Sequence, residues 1–111
     1  MPLYVRPKAP VDVQDVKDMM RDHYEGTPLD MTTAIGAGGN ALPYRWRPMS
    51  FEYNGWRYFN ERAIATQQTG FWFVAQARRD LPDVVGGLLW FGTDDAATSY
   101  ITPIYSTTDK V

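Results

Sequence analysis

Asn54-Gly55 constrains this chain more than any other pair of residues. A two-residue β-hairpin loop of type I′ needs positive φ at both central positions, which asparagine and glycine adopt most readily. The pair sits within Phe51-Glu52-Tyr53-Asn54-Gly55-Trp56-Arg57-Tyr58, where aromatic and polar residues alternate on both sides. That pattern predicts two short antiparallel strands, the second running through Phe59. The last third continues in the same style. Phe71, Phe73, Ala75 and Ala77 alternate with Trp72, Val74, Gln76 and Arg78. Arg79-Asp80-Leu81-Pro82-Asp83 breaks the run, Gly87–Phe91 is a short apolar stretch, Thr93–Ala97 is a turn, and Tyr100–Tyr105 is a further strand. Periodicity over so short a run also admits a helix for 71–79, but its aromatics and its start after Gly70 favour a strand and a β-meander.

One helix is predicted, from Asp12 to about Tyr24. Asp12 can cap its first turn, with Asp15 in the capping-box position three residues on. Val13, Val16, Met20 and Tyr24 recur at helical spacing, while Gln14, Lys17, Asp18 and Arg21 occupy the other face. Gly26 suits a left-handed C-cap, and Pro28 prevents continuation. Before the helix, Pro2, Pro7 and Pro10 predict an extended entry segment. After it, residues 26–50 read as irregular, with Gly36, Gly38, Gly39 and Asn40 as a flexible tract. A loop that long is unusual in a compact domain and is often functional. Together these elements predict an α+β fold.

The 111 residues suffice for one small domain. Eleven Lys and Arg against 13 Asp and Glu leave a formal charge of −2. With only Arg45/Arg47 and Arg78/Arg79 as tight basic pairs, the chain lacks the basic stripe of a nucleic-acid binder. No apolar run approaches the ~20 residues of a membrane-spanning helix, and no signal-peptide core follows Met1. Neither nucleic acid nor membrane is an expected partner. The chain has no cysteine and a single histidine, His23. Within these residues that excludes disulfides, thiolate ligands, cysteine nucleophiles and a histidine-rich zinc site. No GxGxxG entering a helix, phosphate loop or serine nucleophile elbow is present either.

Several strings resemble the dipeptidase A-like family of cysteine dipeptidases. They are Met20-Arg21-Asp22-His23-Tyr24-Glu25-Gly26-Thr27-Pro28 with Asp30-Met31-Thr32, and Pro43-Tyr44-Arg45-Trp46-Arg47-Pro48. Asn60-Glu61-Arg62 then leads into Ala65-Thr66-Gln67-Gln68-Thr69-Gly70 and Phe73-Val74-Ala75-Gln76. Trp90-Phe91-Gly92, Asp94-Asp95-Ala96 and Thr102-Pro103-Ile104-Tyr105 complete the series. They follow the family's order from about Leu3 onward. The resemblance implies part of an N-terminal-nucleophile (Ntn) hydrolase αββα sandwich, with no cofactor. It also implies a mature N-terminal Cys acting as nucleophile, its own α-amino group serving as general base. The matched strings correspond to the family's middle section, so Met1 is not expected to be that terminus. One departure is Ser106, which stands where the resemblance leads one to expect a cysteine.

Candidate substrate-binding residues are Asn60, Arg62, Gln67 and Arg47. An amidase needs a donor for the tetrahedral oxyanion and a group that orients the substrate carboxylate, for which the arginine fork is suited. Asn60 can supply the first and Arg62 the second; alternatively Asn60 and Glu61 cap a turn and Arg62 makes a surface pair. Of Gln67 and Gln68, one can line the pocket, or both can bond to backbone, with one inward and one outward if they lie in a strand. Arg45 and Arg47 around Trp46 can clamp a substrate terminus, or stack on the indole as a structural plug. His23 is read as a helix-end histidine beside the negative end of the dipole. Asp94-Asp95 is read as turn acids, solvated or bonded to their own backbone.

The leading expectation is thus an internal piece of a cysteine dipeptidase acting on peptide substrates, inactive alone because the nucleophile lies elsewhere. Its exposed strand edges and apolar patches should favour self-association. The alternative is a noncatalytic binding or interaction module built on the same fold, with the aromatic strands and the Tyr44–Pro48 loop as a recognition surface.

Overall fold

The capping box forms as predicted. In the computed structural model, which describes residues 3–44, 50–59 and 62–110, Asp12 accepts from the backbone N–H groups of Gln14 and Asp15. The Asp15 carboxylate in turn accepts from the Asp12 N–H at 2.8 Å. Such a cap is worth about 1 kcal/mol. Helix α1 (Val13–Met20) is four residues shorter than its apolar spacing suggested. Arg21 closes it by donating its N–H to the carbonyls of Asp18 and Met19. Asp22 then starts a turn of its own, its carboxylate taking the Tyr24 N–H at 2.7 Å, and Tyr24 adopts a φ of 65°. An aspartate that offers the backbone this local bond competes with the helix and ends it.

The irregular stretch contains one 3-10 turn, Ile35–Ala37. Strands β1 (Ser50–Tyr53) and β2 (Trp56–Phe59) form the predicted hairpin. Tyr53 pairs with Trp56, and Asn54 and Gly55 take φ values of 49° and 75°. Cross-strand pairing places Phe51, Tyr53, Trp56 and Tyr58 on one face, with Phe51 and Tyr58 stacked at 5.2 Å between centroids. Every residue of both strands is exposed.

The meander also forms. Strands β3 (Phe71–Ala77), β4 (Gly87–Thr93) and β5 (Thr102–Tyr105) lie in the order β3-β4-β5, antiparallel throughout. The break between β3 and β4 holds a single helical turn, α2 (Asp83–Gly86), which the sequence pattern did not predict. Arg78 secures it: its N–H donates to the Gly86 carbonyl at 2.8 Å and its guanidinium to the Val85 carbonyl.

Helix α1 packs across one face of this sheet. Val13, Val16 and Met20 meet Trp72, Val74, Trp90, Ala96 and Ile101. The spacing that predicted the helix is therefore the spacing that builds the core. Lys17 departs from expectation. Placed on the polar face by type, it is buried, with Nζ 3.2 Å from the centre of the Trp90 ring. Its methylene stem covers apolar surface while its ammonium finds the negative face of an indole.

The chain is thus α+β, with one main helix and antiparallel sheets, consistent with part of a sandwich. Its radius of gyration is 18.2 Å, against about 13 Å for a compact domain of this length. No helix among the described residues is long and apolar enough to cross a membrane.

Candidate functional site

The loop that follows α1 is knitted by its own acids. The Asp30 carboxylate accepts from the N–H groups of Gly26 and Thr32 and from the Thr32 hydroxyl. Glu25 accepts from the His23 N–H at 3.1 Å, and its other oxygen lies 3.1 Å from His23 Nδ1. A carboxylate only accepts, so this contact places a proton on Nδ1. His23 is 6% exposed, and its Nε2 is buried without a hydrogen-bond partner among the described residues.

Two distant segments reach the same place. Tyr44 stands with its ring tilted 6.0 Å from that of His23. The Ala65 N–H donates to the Asp22 carbonyl at 3.1 Å, which ties residues 62–70 to the loop. Met31, Ala37, Ala63 and Ala65 are buried. A second tie runs from the helix end to the turn after β4. Arg21 donates to the carbonyls of Ala96 (2.9 Å) and Ser99 (3.2 Å), its guanidinium 5.4 Å from the Trp72 ring.

His23 therefore differs from its expected role. It lies beyond the end of α1, so Glu25, not the helix dipole, is its electrostatic partner. The i, i+2 spacing of His23 and Glu25 was the available signal. The geometry resembles a carboxylate-oriented base, but no hydroxyl among the described residues bonds Nε2, so this is not a serine–histidine arrangement. Asp94 is exposed with a φ of 68°, and it accepts from the Asp95 N–H. Asp95, read as a turn acid, does bond its own backbone, through the Ala97 N–H at 3.0 Å, but it is buried rather than solvated. Among the described residues no group of three or more His, Cys, Asp or Glu is placed to hold a metal ion.

Of the candidate substrate-binding residues, Asn60 and Arg47 lie outside the described residues, as do Arg45 and Trp46. Arg62 is exposed, immediately before buried Ala63. Gln67 is half-buried and Gln68 exposed, in a turn and not in a strand. The Thr66 hydroxyl donates to Gln68 Oε1 at 2.6 Å.

Hydrogen bonds hold the Glu25 carboxyl below its ordinary value of 4.5, chiefly that of its own backbone N–H; partial burial opposes them, and His23 contributes further bonds and attraction. Asp30 is held below 3.8, first by the Thr32 N–H, then by the Thr32 hydroxyl and the Gly26 N–H. Both folded values are lowered, so the stability they contribute is complete above the unfolded values and lost as pH falls through the folded ones. Thermal melts followed by circular dichroism should show a midpoint that declines below about pH 4.5. Asp30→Asn should flatten that decline and lower the midpoint at neutral pH; an unchanged acid limb would exclude the mechanism.

A buried loop joined by backbone and ring contacts to two distant segments, beside a helix-covered antiparallel sheet, is the arrangement in which the recognised strings occur. The chain matches the profile of Peptidase family C69 over residues 1–111 and belongs to that dipeptidase family. No curated protein and no solved structure matches it.

Proposed function

We propose that this chain is a section of a cysteine dipeptidase that cleaves peptide bonds with an N-terminal Cys nucleophile outside these 111 residues, and that the chain alone is inactive. One observation carries this reading: a whole-length match to a dipeptidase family in a sequence with no cysteine. Uncatalysed amide hydrolysis needs a nucleophile activated beside a base. The chain offers His23 with an oriented ring, but nothing for it to activate.

In this reading the chain supplies wall, not chemistry. Asn60, Arg62, Gln67 and Arg47 are the proposed substrate-binding residues, with Arg62 and Arg47 as forks for a peptide carboxylate and Asn60 as the oxyanion donor. The test is amine release from simple dipeptides by the purified chain. Turnover should not exceed the blank. Hydrolysis that copurifies with the chain and disappears in His23→Ala would overturn the proposal.

A noncatalytic binding module is the second reading, supported by the exposed four-ring face of the β1–β2 hairpin. Saturable quenching of Trp56 by peptides, lost in Trp56→Phe, would favour it.

A further inference from the structure

The two faces of the β3–β4–β5 sheet differ sharply. Trp72, Val74 and Trp90 lie beneath α1. The alternate positions on the other face include Phe71, Phe73 and Ala75 of β3, Leu89 and Phe91 of β4, and Ile104 of β5. Phe71 and Phe73 are 61% and 50% exposed. Phe71 and Phe91 stack at 6.0 Å between centroids, so the apolar surface is continuous across the strands. No charged residue occupies this face in the register of the three strands.

We propose that a second copy of this chain covers it, the two sheets packing face to face about a two-fold axis. Self-pairing requires a surface complementary to itself. A charged face fails that requirement, because like charges meet across the axis; an uncharged apolar face meets it. Two aligned sheets pack about 10 Å apart with their side chains interdigitated. Taking about 150–250 Å² per fully exposed ring, the face offers roughly 500 Å² per copy. The pair then buries roughly 1,000 Å², the lower bound for a specific interface. The dimer is accordingly concentration-dependent. Its layers run helix, sheet, sheet, helix, with α1 outermost on both sides. This inference is independent of the catalytic reading, which survives its failure.

Sedimentation of the intact chain over about a 100-fold concentration range should show a monomer–dimer equilibrium. Phe73→Lys places two ammonium groups at the interface, one from each copy, and should weaken dimerisation on the order of 100-fold with an unchanged circular dichroism spectrum. The chain's lack of cysteine permits a second measurement that leaves Phe73 intact. Ala75→Cys, on the outer face, should be cross-linked to a dimer by a short bis-maleimide, whereas Gln14→Cys, on the solvent side of α1, should not. A monomer throughout the range overturns the proposal, as does association insensitive to Phe73→Lys or equal cross-linking from both cysteines. If Phe73→Lys unfolds, the pair of cysteine variants decides alone.

Discussion

Trp72→Ala is expected to abolish the cooperative unfolding transition of this chain at ambient temperature. Trp72 is 3% exposed and stands at the centre of the only hydrophobic cluster that joins α1 to the sheet among the described residues. Truncating a buried tryptophan costs about 3–5 kcal/mol, combining lost transfer energy with the cavity left behind. Two further contacts go with it: the indole N–H donates to the Ser99 hydroxyl at 2.9 Å, and the Arg21 guanidinium lies over the ring. Small domains have total stabilities of about 5–15 kcal/mol. A chain whose buried apolar residues include four alanines and no large side chain below 2% exposure belongs at the low end. Thermal melts should thus lose their sigmoid. Trp56, 72% exposed on the hairpin, is the control: its alanine variant should differ by about 0.5 kcal/mol or less. A Trp72→Ala chain that melted with the parent's midpoint would show that the core lies elsewhere.

What could be read in advance depended on whether the signal was local. Asn54-Gly55 specifies its turn through backbone sterics alone, and the hairpin appears in the expected register. The start of α1 was equally legible, because Asp12 and Asp15 satisfy each other's backbone donors without help from the rest of the chain. Its end was not. The apolar spacing runs on to Tyr24, but Asp22 offers the backbone a competing bond. Alternation in 71–78 identified a strand without telling its faces apart. Both are apolar, and the phenylalanine face is the one left exposed. The buried face was decided by what α1 brings to it, a tertiary fact. Lys17 illustrates the same point: its burial requires Trp90, 73 residues away, to be beneath it.

The candidate site was legible as a set of strings and illegible as an arrangement. The strings around His23, Tyr44 and Ala65 do converge, through one ring contact and one backbone hydrogen bond. Neither bond has a periodicity that a sequence displays. Residue types misled at Asp95, whose carboxylate was read as solvated, because a buried acid and an exposed one can cap the same turn. The absence of a thiol, in contrast, needs no fold to interpret. It is a property of composition, and it is why the chemical reading rests on firmer ground than the assignment of individual pocket residues.

Gly92→Ala is the second large effect expected, although it adds only one carbon. Gly92 pairs with Trp72 across β3 and β4, and its place on the helix-facing side is filled by the indole. A Cβ at this position would lie 2.5 Å from Trp72 Nε1, 2.8 Å from Cε2 and 3.0 Å from the Tyr100 carbonyl oxygen. The tryptophan cannot move aside, because α1, Ser99 and Arg21 hold its other surfaces. Overpacking of this kind costs about 1–3 kcal/mol, and a ring held on all sides puts Gly92 at the upper end. Two other glycines calibrate the expectation. At Gly87 an added Cβ meets the Ser106 hydroxyl oxygen at 2.8 Å, but Ser106 is exposed and can rotate away, so Gly87→Ala should cost less than half as much as Gly92→Ala. At Gly70 a Cβ meets nothing within 4 Å, and alanine there restricts the unfolded chain, so stability should stay level or rise by about 0.4–1 kcal/mol. Denaturant midpoints for the three variants should fall in the order Gly70→Ala, Gly87→Ala, Gly92→Ala. If all three cost the same, backbone entropy would account for them and the packing of Gly92 against Trp72 would not.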